Sequence, residues 1–525
     1  MPSPRVGRAD SRTPGVFFRL RSGPDKPLAT GARSCVLGHP FEDERGRTQG
    51  VFARWEWDEG GGLRVDSDRY GVYPAYWGRY REVFAIGSTV EAVLRAGIPP
   101  EPDPVALAVL LRTGYLVGDD TVFRHVRRVP PEATVRTRDG LPELAGGPFT
   151  VSRTSRSRSE VLDEYVARVR VAVQRRLPSE PFLHMLSGGR DSRHLLFALV
   201  EAGARPEAVV TAEHYPPRSN EDARVAALVA AHLGLPHRIL AQPRDRLRQE
   251  LRKNVRTNFS CHEWHAWGVV LGEYVGRHTP VSFDGLGGDT LSMGRYLDAR
   301  QVELYGRGDL EGMAESLLRD QEATLEALLE PELLAAASRD AARARLVEEL
   351  SLHSGAANPV RSFRFWSFSR RKIAPAALGL FAGTRVRAPY LDHDVFDLLA
   401  SVAPEELSDA DGHLHTEAIL RGYPEHAHLE FEDKRAPSRD DAAHVRRYAL
   451  QVAAYLLRTG AGGAGTLRTS AVAPRALRAL ADWSYHRELV RTAPVTVFLT
   501  QVGRLLRRAR GIDPAGDDEE GDDDR

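Results

Sequence analysis

One joint between an apolar run and an amphipathic segment constrains the fold of this chain more than any other feature. Residues Pro181–Leu199 read PFLHMLSGGRDSRHLLFAL. The apolar run predicts a buried strand ending at Met185–Leu186, and the residues from Asp191 onward have the apolar spacing of a helix. Between them, Gly188 and Gly189 predict a tight turn that other groups can approach closely. The joint therefore predicts a strand, a glycine loop and a helix in direct succession.

The same alternation continues along the chain. The runs AVVTA (Ala208–Ala212) and PVSFD (Pro280–Asp284) have the character of short buried strands, with helical segments between them. Such alternation predicts a parallel sheet with crossover helices. Before residue 150, short alternating stretches such as GVFARWEWDE (Gly50–Glu59) are separated by turn residues, which predicts a sheet-rich region. The expected fold class is α/β, with a sheet-rich first domain and a parallel-sheet second domain.

Length and composition exclude several classes of protein. A chain of 525 residues is too long for one ordinary core, so two or three domains are expected. Lys and Arg together number 72, as do Asp and Glu, and this balance predicts neither a nucleic-acid partner nor a membrane surface. With Cys35 and Cys261 as the two cysteines, no disulfide framework is expected, and a reducing compartment fits. Because the sequence shows no signal peptide and no membrane-spanning run, we expect a cytoplasmic protein.

The loop Ser187–Ser192 has the chemistry of an anion site. Backbone N–H groups at a helix N-terminus, together with the Ser187 and Ser192 hydroxyls, predict a cradle of phosphate size. The simpler alternative is a glycine turn in which Ser or Asp only caps the helix. The full pattern S-G-G-x-D-S at a strand-to-helix joint favours a nucleotide site. Since Asp191 would repel phosphate, a cation such as Mg²⁺ is expected between them.

The loop SGGRDS resembles the pyrophosphate loop of the N-type ATP pyrophosphatases, and of the asparagine synthetase family in particular. Four further stretches are similar to that family and follow its order along the chain: DRYGVYPAYW (Asp68–Trp77), SNEDARVAALVAAHLGLPHRI (Ser219–Ile239), DGLGGDTL (Asp284–Leu291) and RVRAPYLDHDVFDLLASVAPEEL (Arg385–Leu407). The first of the four resembles part of the glutamine amidotransferase domain that precedes the synthetase domain.

The resemblance implies a domain for each part of the chain. Residues 1–150 would form a degenerate class II amidotransferase-like domain of the αββα, N-terminal-nucleophile type. Residues 155–460 would form a Rossmann-like ATP pyrophosphatase domain with a helical C-terminal part. A helical extension at 461–510 and a disordered acidic tail at 511–525 complete the expected organisation.

The resemblance also implies ATP and Mg²⁺ as cofactors. It assigns cofactor binding to seven residues: Ser187, Gly188, Gly189, Asp191, Ser192, Gly287 and Asp222. It assigns the metal to Asp191 and Asp289, and a catalytic role in stabilising developing charge to Lys434. Two alternatives stay open: Asp222 as a first-turn acid of its helix, and Lys434 as an exposed loop lysine.

Two departures from the family pattern concern the nucleophile. A working amidotransferase domain of this family has a cysteine directly after the initiator methionine, whereas this sequence begins Met1–Pro2 and Cys35 is internal. No stretch resembles the family's glutamine-binding motif. Leu286 stands where asparagine synthetases carry Glu and β-lactam-forming relatives carry Tyr, and leucine cannot move a proton. We therefore expect an inactive glutaminase domain and an amine other than glutamine-derived ammonia.

The stretch TNFSCHEWHAWG (Thr257–Gly268) offers substitute groups. We expect it in the helical segment that leads to the PVSFD strand, which the resemblance places at the substrate pocket. His262 and Glu263 are the candidate catalytic acid/base groups, with His265 beside them. The alternative is a helix that packs His and Trp against its neighbours. A zinc site is not expected, because H-E-x-H lacks the spacing that puts two histidines one helical turn apart.

Together these features predict an ATP- and Mg²⁺-dependent ligase that adenylates a carboxylate and transfers it to an amine, releasing pyrophosphate and AMP. The GGD form of the second loop also resembles lasso-peptide macrolactam cyclases, so cyclisation of one peptide is an alternative. A catalytically degenerate ATP-binding scaffold is a third interpretation. Small-molecule or peptide substrates, and a homodimer or a biosynthetic partner protein, all stay open, while no nucleic-acid or membrane partner is expected.

Overall fold

The computed structural model describes residues 15–23, 27–58, 60, 62–292, 298–381, 383–407, 414–433, 441–460 and 465–509. Lys434, for which the sequence predicts a catalytic role, lies outside the described residues. So do the predicted tail at 511–525 and part of the predicted extension at 461–510.

The N-terminal region consists mainly of antiparallel strands. These are β1 (Phe17–Arg21), β2 (Leu28–Gly31), β3 (Ser34–Gly38), β4 (Phe41–Glu42), β5 (Thr48–Gln49), β6 (Phe52–Asp58), β7 (Gly62–Ser67), β8 (Tyr76–Tyr80), β9 (Val83–Gly87), β10 (Val126–Arg128), β11 (Thr134–Arg138) and β12 (Leu141–Ala145). One sheet has the order β10-β8-β9-β1-β2 and another the order β3-β6-β7. Phe18, Phe84 and Trp55 from both sheets share one apolar core. Helices α1 (Val90–Arg95) and α2 (Pro104–Thr113) follow β9.

The second region alternates strands and helices as expected. Its elements are α3 (Arg158–Gln174), β13 (Leu183–Met185), α4 (Asp191–Glu201), β14 (Ala208–Ala212), α5 (Glu221–His232), β15 (His237–Leu240), α6 (Arg246–Arg256), α7 (Gly268–His278), β16 (Val281–Phe283), α8 (Gly288–Ser292) and, further along the chain, β17 (Arg385–Arg387). These strands form a parallel sheet of order β15-β14-β13-β16-β17. The predicted α/β fold class is confirmed.

Helices make up most of the remaining structure. They are α9 (Ala299–Gly306), α10 (Leu310–Leu317), α11 (Glu322–Leu328), α12 (Pro331–Ala336), α13 (Arg339–Ser351), α14 (Pro359–Phe363), a π-helix (Arg364–Ile373), α15 (Ala374–Gly379), α16 (His393–Ala400), α17 (Leu414–Gly422), α18 (Ala442–Arg458), α19 (Thr469–Ala481) and α20 (His486–Ala509). Within the described ranges, none of the helices is both long and apolar enough to cross a membrane.

The order of the parallel strands determines where a ligand can bind. From β13 the chain adds β14 and β15 on one side and then returns to add β16 on the other. In open α/β sheets the ligand crevice lies outside the carboxyl ends of the strands at such a reversal. The loops that follow β13 and β16 are the two that the sequence singled out, SGGRDS and DGLGGD.

The apolar core does not divide at the end of the N-terminal strands. Leu107 and Leu110 of α2 belong to the same buried cluster as Leu346 of α13 and Phe498 of α20. The N-terminal region therefore packs directly on the C-terminal helices, and the four predicted domain ranges stay a prediction.

Candidate active site

The glycine loop after β13 is closed by hydrogen bonds from its own backbone. Ser187 N–H donates to Ser192 Oγ at 3.0 Å, and Gly189 N–H donates to Ser187 Oγ at 3.1 Å. Gly188 N–H donates to Oδ1 of Asp222, also at 3.0 Å. Sequence reasoning expected these N–H groups to face a phosphate, whereas here side chains of the protein accept them. The two serine hydroxyls, 3.1 Å apart, line the loop itself.

Asp222 holds the loop from the side of α5. Its Oδ2 lies 3.1 Å from His214 Nε2 and accepts a hydrogen bond from Arg218 at 3.0 Å. Burial alone would raise the pKa of Asp222, but the hydrogen bond with His214 and the charge of Arg218 lower it to about 2. The predicted proximity of Asp222 to the loop is therefore present, while a direct contact with nucleotide stays a prediction.

The DGLGGD loop after β16 packs directly against Asp191. A Cβ atom on Gly285 would lie 2.5 Å from Asp191 Cβ, and one on Gly288 would lie 2.9 Å from its Cγ. Gly287 has a φ of +91°, a backbone conformation that residues other than glycine rarely adopt. Because these positions are glycine, α8 can begin beside Asp191, with Asp289 in its first turn.

Sequence reasoning missed a third acid at this crevice, Asp284. It directly follows β16, and its backbone N–H donates to the Arg387 carbonyl at 2.9 Å. Burial, together with the negative charges of Asp191 and Asp289, raises the pKa of Asp284 to about 7. An acid at the carboxyl end of a buried parallel strand was the signal in the sequence.

The carboxylates at this crevice fit Mg²⁺. Oxygen is its preferred ligand, and like charges brought close together favour a cation between them. Within the described ranges, no group of three or more His, Cys, Asp or Glu side chains is arranged to hold a metal ion by itself. Mg²⁺ takes one or two carboxylates and fills its other positions with water and phosphate oxygens, so Asp191 and Asp289 are the residues that would hold it.

A buried polar cluster fixes Asp191 from behind. Nδ1 of His415, in α17, lies 3.1 Å from Asp191 Oδ1 and 2.9 Å from Ser292 Oγ. The Tyr390 hydroxyl lies 3.2 Å from His415 Nε2 and donates to the Asp191 carbonyl at 3.1 Å. Tyr390 belongs to the stretch RVRAPYLDH. This stretch therefore helps to position Asp191, the acidic residue of the glycine loop.

Arg193 and Arg190, which flank the loop acid, bind a segment that is distant in sequence. The buried Arg193 guanidinium donates to the carbonyls of Leu429 at 3.1 Å and Glu430 at 2.7 Å. Both guanidinium groups lie over the Phe431 ring, at 4.3 Å for Arg193 and 4.6 Å for Arg190. The two arginines therefore act as a clamp on this segment.

The clamped segment contacts the glycine loop directly. Glu432 N–H donates to the Gly188 carbonyl at 3.0 Å, and a Cβ on Gly188 would lie 3.0 Å from Glu432 Cβ. The segment leads in sequence to Lys434, the predicted catalytic lysine outside the described residues. Sequence reasoning left Arg190 and Arg193 without a role, and the structure gives them this one.

The stretch Thr257–Trp267 is not helical, so the predicted helix there is wrong. It lies between α6 and α7, and four of its residues have a left-handed backbone: Asn258, Phe259, Trp264 and His265. Large side chains in this conformation cannot continue a right-handed helix, and each costs about 1–3 kcal/mol. Such strain is typical of segments that surround a functional site.

Glu263, a predicted catalytic residue, is held between two cations. Arg319 donates to both of its carboxylate oxygens, at 2.7 and 3.0 Å, and Lys372 Nζ donates to Oε1 at 3.1 Å. Burial would raise the pKa of Glu263, but the Arg319 hydrogen bonds and the Lys372 charge lower it to about 2. Trp264 covers Lys372, with the ammonium 4.0 Å from the ring centre. Glu263 is therefore ionised and firmly oriented.

His262, the other predicted acid/base group, is buried beside Phe498 of α20. Burial lowers the pKa of His262 to about 4, so its imidazole is neutral at pH 7. Neither ring nitrogen has a hydrogen-bond partner among the described residues. The acid/base roles of His262 and Glu263 stay predictions.

The clamp formed by Arg190 and Arg193 leads to the first testable prediction. Replacing Arg193 with Met removes its carbonyl hydrogen bonds while keeping a long apolar side chain. Bonds from a charged donor are worth about 1.5–3 kcal/mol each, so the loop should open at least ten times more often. Hydrogen exchange of the amides of residues 187–190 in the nucleotide-free protein measures this.

Arg361→Met is the matched control for that measurement. Arg361 is also buried and donates to backbone carbonyls, including that of Leu291 at 2.9 Å, but it does not contact residues 187–190. Equal loop exchange in the two variants would contradict the clamp.

Comparison with known proteins agrees with this geometry. The asparagine synthase family profile matches residues 164–480, and a glutamine amidotransferase domain profile matches residues 41–143. No curated protein sequence matches significantly. One similar solved structure is the glutamine-dependent NAD+ synthetase from Acinetobacter baumannii in complex with adenosine diphosphate, with 14% identity over 62% of this chain and 80% of that one. Its TM-score of 0.19 is too low to support any conclusion about this chain.

The synthase profile covers well over half of the chain and includes both acidic loops. The chain therefore belongs to the asparagine synthase family and is, at the level of that family, an ATP-dependent amide-forming ligase preceded by an amidotransferase-type region.

Proposed function

We propose that this protein activates a substrate carboxylate with MgATP and transfers the acyl group to an amine that does not come from glutamine. In the first step a carboxylate oxygen attacks the α-phosphorus of ATP, and pyrophosphate leaves. In the second, the amine nitrogen attacks the acyl carbon, AMP leaves with the bonding electrons, and the nitrogen loses one proton. The observation that carries the proposal is the contact of the two loops, which puts Asp191 and Asp289 at one crevice.

Different residues of the chain have different roles in activating the carboxylate. Ser187 and Ser192 supply hydroxyl donors for phosphate oxygens, and Asp222 and Glu432 hold Gly188 in place. Asp191 and Asp289 would hold Mg²⁺, which supplies positive charge for the departing pyrophosphate. Lys434, next to the clamped segment in sequence, would stabilise charge on the phosphate or the acyl-adenylate.

The amine side of the reaction differs from that of asparagine synthetases. Leu286 lies within the acidic loop with its side chain in the apolar core, and it cannot form a hydrogen bond with a polar substrate. The segment with Glu263 is linked to the acidic loop by the π-helix, whose Lys372 pairs with Glu263 and whose Ser369 contacts Thr290. We assign the recognition of the amine substrate to Glu263, whose carboxylate is held in place by Arg319 and Lys372, and its deprotonation to this segment.

The N-terminal region is proposed to lack glutaminase activity. Cys35 lies within β3, paired with Trp55 of β6, and burial raises the pKa of its thiol to about 11. Such a thiol is almost fully protonated at neutral pH and is a poor nucleophile. Burial also raises the pKa of Cys261. A catalytically degenerate scaffold is less well supported, because such a protein has no use for the acidic crevice.

The metal role of the two loop acids is tested by binding. Calorimetric titration of ATP into the wild-type protein should give binding that tightens when Mg²⁺ is present. In Asp191→Asn and Asp289→Asn this gain should fall at least about tenfold, about 1.4 kcal/mol, because one charged ligand is lost. Asp340→Asn, at an exposed helical position, is the control. Mg²⁺-independent binding by the wild type would refute the proposal.

Carboxylate activation is tested by isotope exchange. Labelled pyrophosphate should enter ATP only when a suitable acid is present, and a panel of amino acids, β-amino acids and short peptides serves as the probe. Glu263→Gln should keep this exchange but lose at least about tenfold in amide formation if Glu263 serves only the amine. Loss of both activities together would contradict that assignment.

The inactive glutaminase predicts that purified protein releases no glutamate from glutamine. Cys35→Ala should leave ligase activity and thermal stability nearly unchanged, since the partly buried Cys35 thiol behaves mainly as a small apolar group. Glutamate release by the wild type that disappears in this variant would overturn the proposal.

A further inference from the structure

The π-helix Arg364–Ile373 lies between the N-terminal region and the second acidic loop. Three consecutive basic residues near its end, Arg370, Arg371 and Lys372, are all buried, with exposures of 3%, 1% and 1%. Burying a charged side chain is costly unless its donors are paired. The identity of their partners therefore shows what this helix is fixed to.

Arg370 is fixed to the N-terminal region. Its guanidinium donates to the carbonyls of Gly71 at 3.1 Å and Gly118 at 3.0 Å, to Oδ1 of Asp119 at 2.6 Å, and to the Val129 carbonyl at 3.3 Å. Each of these acceptors lies before residue 130, so a single side chain connects the π-helix with three turns of that region.

Neighbouring contacts strengthen this connection. Arg371 donates to the Asp120 carbonyl, and Arg128 of β10 donates back to the Arg370 carbonyl at 2.7 Å. Lys372 pairs with Glu263 and faces the Tyr115 ring at 5.9 Å. Hydrogen bonds therefore pass in both directions between the π-helix and the N-terminal region.

The motif DRYGVYP builds one of the turns that Arg370 contacts. The buried Asp68 carboxylate accepts hydrogen bonds from the N–H groups of Tyr70, Val72 and Tyr73, each at 3.0 Å. These bonds hold Gly71 at a φ of +56°, and a Cβ there would lie 2.8 Å from Pro131 N and 3.1 Å from the Arg370 guanidinium. The turn is therefore shaped to present its carbonyl to Arg370.

The π-helix also contacts the second acidic loop, through Ser369 and Phe365. The Ser369 hydroxyl lies 2.6 Å from the Thr290 hydroxyl, and Thr290 directly follows Asp289. Phe365 lies against Gly287 of the same loop, 3.7 Å from the position of a Cβ. A π-helix is rare and occurs frequently at functional sites. Here the π-helix lies between the N-terminal region, which we propose lacks glutaminase activity, and Asp289, a predicted metal ligand.

We propose that the N-terminal region is retained to position the second acidic loop, and that Arg370 is the positioning residue through which it acts. By fixing the π-helix to Gly71, Gly118 and Asp119, Arg370 places Ser369 against Thr290 and so fixes Asp289. The role of Asp289 as a metal ligand rests on the proposed function, whereas the mechanical link from Arg370 to the loop does not.

The test compares two buried arginines that both join the N-terminal region to the rest of the chain. Arg370→Met removes the link to the π-helix. Arg112→Met removes a link of similar burial, since Arg112 of α2 donates to both Glu322 oxygens at 2.7 Å and has no described contact with residues 284–292. Hydrogen exchange of the amides of residues 284–292 is measured in both nucleotide-free proteins, well below their melting temperatures.

In Arg370→Met we expect at least tenfold faster exchange in residues 284–292, and a similar loss in the Mg²⁺-dependent gain in ATP affinity. Arg112→Met should lower thermal stability without either change. Arg370→Lys keeps the charge but cannot reach all four acceptors, so it should restore both properties in part. Equal loop exchange in the two Met variants would overturn the positioning role.

A second variant covers the case in which Arg370→Met does not fold. Ser369→Ala removes only the hydroxyl contact with Thr290 and should raise loop exchange in the same direction, and unchanged exchange would count against the proposal. If wild-type ATP binding proves independent of Mg²⁺, the proposed function fails, while the exchange comparison still decides whether Arg370 positions the loop.

Discussion

The close contact between two loops on adjacent parallel strands is the constraint on which this site depends. A side chain at Gly285 or Gly288 would overlap with Asp191. Both positions must therefore be glycine if the acidic side chains are to lie in one crevice. Burial raises the pKa of Asp284, and the like charges that this contact brings together add to the rise, which reaches about 7. His415 and Tyr390 fix Asp191 from behind, through contacts with its carboxylate and its backbone carbonyl.

The two loops are supported by different parts of the chain. Arg193 contacts Glu430 and Phe431, and these contacts hold the glycine loop against a segment near the end of the synthase region. The second loop is backed by the π-helix, which is fixed to the N-terminal sheets through Arg370. The region that resembles an amidotransferase therefore has a mechanical connection to the acidic loop, although its own cysteine lies partly buried within a strand.

Much of the fold and part of the site could be predicted from the sequence. The strand-to-helix joint at Ser187 and the alternation after it are local patterns, so the parallel sheet followed from hydrophobic spacing and glycine placement alone. The roles of Arg193, Arg370 and His415 could not be predicted from the sequence. Each of them contacts a residue more than two hundred positions away, namely Glu430, Gly71 and Asp191 respectively. The helix expected at His262 failed because residues with a left-handed backbone, Asn258 and Trp264 among them, interrupt it, and residue identity alone does not show that.

The strand order has a consequence for how the protein acquires its site. Asp191 and Asp289 come together only when β16 lies against β13, although β14 and β15 separate these two strands in sequence. Contacts between residues far apart in sequence carry a large loop-closure entropy and form slowly. On a ribosome-bound chain, the crevice between the two loops therefore cannot form until β16 has emerged.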